Sequence, residues 1–253
     1  FWQTKELHVG QRLAKEITSQ QVIKKNLSGI VSIMAMFKKG KKLIPVGSGT
    51  GFVVTRSGYV ITNHHVAVNG KTGKHYPVYL LNWDRGTGRQ HVKARFVAGY
   101  RQHDERGKVR MLDRQTGRIS SRFQRQHIDI ALLKIITPGV YPTVKLSSVH
   151  YAMLGDKVVA MGFPSEGQGI NDMGNENITA TIGTISRLVR MDNRQVNEIQ
   201  HSAKVAGGNS GGPLFDIHTG AVIGINTWVG IFNKRLSRPG MGLGYYYSLP
   251  IDL

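Results

Sequence analysis

Three residues in this chain have the types and the surroundings for acyl-transfer chemistry, and they lie far apart in sequence. Ser210 sits in "AGGNSGGP", residues 206 to 213, where four glycines and a proline surround one serine and one asparagine. Glycine is costly in conformational entropy and is used where the backbone must take positive φ or lie against another group. In the ordinary case such a cluster is a hairpin loop, since Gly-Gly and Gly-Pro punctuate strands. The chemical alternative is a loop that presents Ser210 as a nucleophile while its own N–H groups face the place where negative charge develops on an acyl group. Such chemistry requires a base and an orienting acid.

A base is available in "GYVITNHHVAV", residues 58 to 68, where an apolar, strand-like run ends in two adjacent histidines. Successive side chains on a strand point to opposite faces, so one of His64 and His65 faces a given cleft. His65 is the expected base, because Ala67 and Val68 then read as the start of a short helical turn behind it. An acid is available in "HIDIALLKI", residues 127 to 135, where Asp129 interrupts an apolar run near its start. A carboxylate at the mouth of a buried strand is expensive unless paired, and an imidazole N–H is a fitting partner. Taken singly, each is more ordinarily a loop histidine, a strand-end aspartate or a tight turn. Their order of His, Asp, Ser, separated by 64 and 81 residues, is that of chymotrypsin-type double barrels rather than of subtilisins or α/β-hydrolases.

The chain resembles the trypsin-like serine proteases of the HtrA (Deg) kind. The matching pieces are "GSGTGFVVTRSGYVITNHHV" (47 to 66), "DIALLKI" (129 to 135), "GDKVVAMGFP" (155 to 164), "GNSGGPLFD" (208 to 216), "GAVIGINT" (220 to 227) and "GLGYYYSLP" (242 to 250). They run in the family's order from about Gly29 onward. The resemblance implies an all-β, chymotrypsin-like fold of two six-stranded antiparallel barrels with a short N-terminal helix. It implies that Ser210 attacks, His65 carries the proton and Asp129 orients the imidazole. The segment Gly208, Asn209, Ser210 would form the oxyanion hole through the N–H groups of Gly208 and Ser210. Thr227 matches the position from which the family's hydroxyl supports the buried aspartate. It is otherwise an ordinary β-branched strand residue.

Two departures from digestive trypsins bear on control and specificity. Asn209 stands where those enzymes place an aspartate that receives a newly cleaved N-terminal amine, and an amide cannot form that ion pair. By resemblance, control through loop ordering and oligomerisation, often as a trimer, is expected instead. Lys204, six residues before Ser210, stands at the specificity position. Its ammonium could pair with an acidic substrate side chain. The preferred alternative is that Lys204 snorkels to solvent and that a pocket floored by Val205, near Thr227 and Trp228, takes aliphatic side chains. The chain has no cysteine pairs, no HExxH and no P-loop, so no metal, nucleotide or organic cofactor is expected.

These residues need a scaffold. Strand-like segments at 30 to 37, 43 to 46, 50 to 55, 58 to 62, 77 to 83, 91 to 99 and 129 to 135 would build the first barrel, within residues 29–140. The stretch 137 to 148 has linker composition, and the second barrel falls within 141–253. Residues 1–28 form an N-terminal helical segment, with Leu13, Ile17, Ile23 and Leu27 at near-helical spacing over 5 to 27. Histidine and aspartate thus come from one barrel and serine from the other, with the active site in the cleft between them.

The 253 residues hold 34 basic and 15 acidic side chains, a formal net charge of +19, and no cysteine. The lack of disulfides separates the chain from the disulfide-rich secreted proteases of animals and fits a bacterial protein of either cytoplasm or periplasm, with a periplasmic or secreted location expected and the cytoplasm as the alternative. Phe1 rather than Met opens the chain, which reads as a processed or truncated product. There is no apolar run of spanning length. Part of the charge lies in residues 101 to 127, which carry eight Arg or Lys against three Asp or Glu. This is expected to be an exposed, partly mobile basic insertion. It would recruit acidic substrates or make non-specific, salt-sensitive contact with a polyanion. Protein or peptide substrates are the main partners expected. A polyanion-binding scaffold with latent proteolysis is the alternative function.

Overall fold

The computed structural model describes residues 17–84, 89–104, 110–112, 119–121, 125–164, 177–190, 196–229 and 246–251. The first described element is helix α1 (Ser19–Asn26), opened by a capping box in which Thr18 Oγ1 accepts from the Gln21 N–H and the Gln21 side chain accepts from the Thr18 N–H. Val22 and Asn26, one turn apart, are its buried residues. Of the expected apolar face, Ile17 and Ile23 pack against the core cluster shared by the two barrels, whereas the helix passes into a 3₁₀ turn at Leu27–Gly29, which leaves Leu27 37% exposed. Residues 5 to 16 of the expected helix, Leu13 among them, lie outside the described residues. The Asn26 amide donates to the carbonyls of Val22 (2.9 Å) and Gly220 (3.5 Å), tying α1 to the second barrel.

The first barrel contains β1 (Ile30–Lys39), β2 (Lys42–Val53), β3 (Tyr59–Thr62), β4 (Val78–Asp84), β5 (Arg89–Asp104) and β8 (Arg125–Ile135), closed in the order β1-β2-β3-β8-β5-β4. The second contains β9 (Lys157–Gly162), β10 (Thr179–Arg190), β11 (Val196–His201), β12 (Pro213–Asp216), β13 (Ala221–Val229) and β14 (Tyr246–Pro250), closed as β10-β11-β14-β13-β12-β9. All pairings between these strands are antiparallel. The expected all-β double barrel is therefore observed. The segments expected at 43 to 46 and 50 to 55 belong to one strand, β2, which ends at Val53, because the intervening "GSG" stays paired with β1 and a bulge beside it, between Pro45 and Gly47, does not break the ladder.

Each barrel has its own core, with Ile33, Leu81 and Leu133 in the first and Ile185, Ile199 and Leu214 in the second. A third cluster joins Ile30 and Phe52 of the first barrel to Val159, Met161 and Phe215 of the second. Burying such side chains contributes about 1.5–3 kcal/mol each and fixes how the barrels face one another. Residues 136–148 cross between the barrels without a named strand. They latch onto β13 through Ser147 N–H to Val222 O and Val222 N–H to Lys145 O, each 2.8 Å.

The 101 to 127 segment is more regular at its ends than expected. The β5–β8 ladder continues through Arg101↔Asp129 to Asp104↔Arg125, and β6 (Arg110–Leu112) pairs with β7 (Ile119–Ser121). Apolar alternation marks burial rather than pairing, so a charged ribbon gives no such signal. The remainder of the segment lies outside the described residues, and its expected mobility with it.

One core histidine gives the fold a pH dependence. His201 is fully buried; its Nε2 donates to Ser248 Oγ (3.0 Å), which donates to Asn226 Oδ1 (2.9 Å). Burial pushes His201 down to about 4 from an ordinary 6.5. Folding therefore favours the neutral ring. The stability this carries is whole above about pH 6.5 and is lost as pH falls toward 4, on the order of 3 kcal/mol if fully expressed. Thermal melts from pH 7 to pH 4 should show a steeper fall in Tm for the native chain than for His201→Gln. Parallel falls would remove His201 as the cause.

Candidate active site

Strand β3 ends at Thr62, and the chain turns at Asn63 into the one-turn helix α2 (His64–Ala67). The two histidines are thus on a helix and not at a strand end, so strand alternation is not what separates them. Successive helical residues differ by about 100° in direction, which parts the rings all the same. α2 is pinned from behind by Tyr79 of β4, whose hydroxyl donates to the Ala67 carbonyl (2.6 Å).

His65 meets Asp129 of β8 twice. Its ring Nδ1 lies 2.6 Å from Asp129 Oδ2, and its backbone N–H donates to Asp129 Oδ1 at 3.0 Å. Asp129 is fully buried and the His65 side chain is 33% exposed. Burial works to raise the Asp129 carboxyl, but the ring hydrogen bond, charge and N–H of His65, with the Arg101 guanidinium opposite on β5, together hold it below its ordinary value. A carboxylate accepting at Nδ1 fixes the tautomer that leaves Nε2 as the free base. His64 points elsewhere: its ring packs over Gly99 of β5. Burial is the main cause lowering its pKa, reinforced by Arg101 and His65 and opposed by Asp129.

Ser210 lies in the second barrel, in the loop before β12. The turn from Ala206 to Asn209 is closed by Asn209 N–H to Ala206 O (3.1 Å), with Gly208 at φ +92°. Among the described residues, the N–H groups of Gly208 and Ser210 have no protein acceptor. Asn209, between them, is buried. The Ser210 hydroxyl is turned to the Thr227 carbonyl at 3.4 Å. Thr227 is buried on β13. Its hydroxyl donates to Ile225 O (3.0 Å) and accepts from the Asn63 amide (3.2 Å), which also donates to the Asp129 carbonyl (2.7 Å). The link between the two barrels at this point runs through Asn63.

The residues expected to line the pocket are spread over two segments. Lys204 is exposed, with its carbonyl accepting from Thr181 Oγ1 (2.6 Å), whereas Val205 is buried. Trp228 belongs to β13, and its side chain lies outside the described residues. Two positions escaped sequence reasoning, Thr50 and Asn63. Their only signal is a polar residue in an otherwise apolar or glycine-rich run, in "GSGTGF" and "ITNHH".

Away from this site, Asp156, Asp216 and His218 bring three ligand-type atoms within 4.8 Å of one another. Both carboxylates already accept hydrogen bonds, Asp156 Oδ2 from the Met153 N–H (2.8 Å). His218 Nε2 contacts Asp156 Oδ1 (3.1 Å), and Asp216 accepts the N–H groups of His218 and Thr219. That pattern fits a hairpin clamp.

Comparison with known proteins follows the same lines. Residues 49–225 match the family described as trypsin-like peptidase domain. The chain is 32% identical to Protease Do-like 5, chloroplastic, of Arabidopsis thaliana over 81% of its own length and 54% of that protein. It is 30% identical to Serine protease HTRA1 of Xenopus tropicalis, over 78% of its length and 35% of that protein. It is also 30% identical to a probable periplasmic serine endoprotease, DegP-like, of Rickettsia prowazekii, over 84% of its length and 32% of that protein. The chain thus spans from 32% to 54% of the length of these relatives.

Proposed function

The chain belongs to the trypsin-like peptidase family, and on that premise we propose that it is a serine endopeptidase of the HtrA kind acting through Ser210, His65 and Asp129. The observation that carries this is the double contact of His65 with a fully buried Asp129. Two contacts and burial leave the imidazole one orientation and one tautomer. His65 Nε2 takes the Ser210 proton as Oγ attacks the substrate carbonyl, then delivers it to the leaving amine. Asp129 steadies the imidazolium between the two steps. The N–H groups of Gly208 and Ser210 receive the oxyanion. Substrate binding turns the Ser210 hydroxyl from Thr227 O toward His65, as catalytic hydrogen bonds often tighten only in the complex.

Exposed or unfolded protein segments are the proposed substrates. The exposure of Lys204 beside a buried Val205 supports a pocket for aliphatic side chains over one for acidic ones. A periplasmic or secreted location rests on the name of the Rickettsia relative. Among the described residues no helix is long and apolar enough to cross a membrane. Trimer formation and polyanion contact through 101 to 127 rest on family resemblance and on charge.

Casein digestion at low and moderate salt tests the proposal. Native protein should cleave at both salts, His65→Ala should lose turnover with unchanged circular dichroism, and His64→Ala should keep most of it. Loss in His64→Ala alone would reassign the base. Equal, residual digestion by all three proteins would favour the scaffold.

A further inference from the structure

We propose that Thr50 is the positioning residue that sets the oxyanion-binding loop against the histidine-bearing barrel. The inference rests on the assignment of Gly208 and Ser210 as the oxyanion donors.

Thr50 is a β2 residue of the first barrel, fully buried, and four hydrogen bonds meet on it. Its N–H donates to the Ser210 carbonyl (2.8 Å). Its hydroxyl donates to the Gly208 carbonyl (2.8 Å) and accepts from the Phe163 N–H (2.9 Å). Its own carbonyl accepts from Thr62 Oγ1 (2.7 Å), the last residue of β3 before the Asn63–His65 segment. One residue of the first barrel, through its N–H and its hydroxyl, therefore holds the second barrel's nucleophile loop. The same residue is tied to the strand end from which His65 departs.

The chemical consequence follows from which atoms are held. The carbonyls of Gly208 and Ser210 flank Asn209 and the Ser210 N–H, so fixing both fixes the plane of the peptides between them. The loop has little stiffness of its own, since glycine occupies positions 207, 208, 211 and 212. A hydroxyl is needed: a methyl at the same place fills the space but neither donates to Gly208 nor accepts from Phe163. Oxyanion donors act only within a narrow distance range of the developing charge. A misplacement of about 1 Å costs on the order of a hundredfold in rate. The ground-state substrate, held mainly by its side chains and backbone elsewhere in the cleft, does not sense the same error.

The experiment compares native protein with Thr50→Val and Thr50→Ser, using a peptide substrate, a peptide boronate that becomes tetrahedral on the active serine, and the matching peptide acid as a ground-state ligand. Thr50→Val should lower kcat about 10- to 100-fold, with KM nearly unchanged. Its boronate affinity should fall by a similar factor, while the peptide acid binds as before. Thr50→Ser should restore most of both. Thr62→Val, which removes the donor to the Thr50 carbonyl and leaves the Thr50 side chain in place, should show the same split in smaller measure. This variant keeps the test alive should Thr50→Val fold poorly. Equal loss of boronate and peptide-acid binding in Thr50→Val or Thr62→Val, or no loss at all, overturns the proposal. Failure of the native protein to bind the boronate or to depend on Ser210 overturns instead the peptidase assignment beneath it.

Discussion

Ser210→Ala is expected to lower kcat about a millionfold while leaving KM, circular dichroism and Tm close to native values. On the proposed roles, the size follows from the non-additivity of such groups: without the nucleophile, the base and its aspartate would have nothing to activate, and what would remain is the contribution of the oxyanion donors and substrate binding. Stability should barely change, because the hydroxyl's described hydrogen bond is a long one to Thr227 O, 3.4 Å. Asp129→Asn should cost about 10⁴-fold in kcat, since an amide facing Nδ1 permits the tautomer that places the proton on Nε2. Unlike Ser210→Ala, it also strips a charge from a site where Arg101 stands opposite, so a measurable fall in Tm is expected. The measurements are single-turnover kinetics on a chromogenic peptide and thermal melts. If Ser210→Ala keeps more than a hundredth of native turnover, Ser210 is not the nucleophile.

Gly211→Ala should be the most damaging single methyl in the site. Gly211 sits at φ +86°, and a Cβ there would lie 2.1 Å from Thr62 Oγ1 and 2.3 Å from the Thr50 carbonyl. Left-handed backbone costs a non-glycine residue about 1–2 kcal/mol, and overpacking about 1–3 kcal/mol more. Neither obstacle yields easily, because one is backbone and the other is the hydroxyl bonded to it. Together they predict a loss of about 2–5 kcal/mol, or a fall in Tm of about 4–20 °C for a chain of this size. Activity should drop further than stability does, because Gly211 follows Ser210 directly and the loop can relax only by moving it. Gly73→Ala provides the comparison: φ is +66° but nothing lies within 4 Å of the added carbon. Only the backbone cost should appear there, with activity intact. Equal Tm shifts in the two variants would show that crowding at Gly211 is absorbed without strain.

The sequence alone determined the chemistry of the residue types and the class of fold. A serine among glycines, an aspartate inside an apolar run and a histidine at the end of another are each unusual in a local pattern, and their order along the chain narrowed the architecture to a double barrel. Strand periodicity located the strands of the first barrel, because a half-buried strand writes its burial into every second residue, while the second barrel was bounded without its strands being placed. Where side chains are not sorted by burial, the pattern was silent. The ladder from Arg101 to Asp104 has no apolar alternation to announce it, and the "GSG" run inside β2 read as a break.

Tertiary structure decided what depends on atoms distant in sequence. It turned the two histidines onto a one-turn helix, so that His65 meets Asp129 while His64 packs over Gly99. It ran the link from Thr227 to Asp129 through Asn63, and it gathered four hydrogen bonds on Thr50. Asn63 and Thr50 carry no period and no motif that distinguishes them from ordinary polar residues. Their roles exist only because two closed barrels bring β2 and β3 against the loop before β12, and hydrogen-bond partners 158 and 164 residues apart are fixed by barrel packing rather than by local sequence.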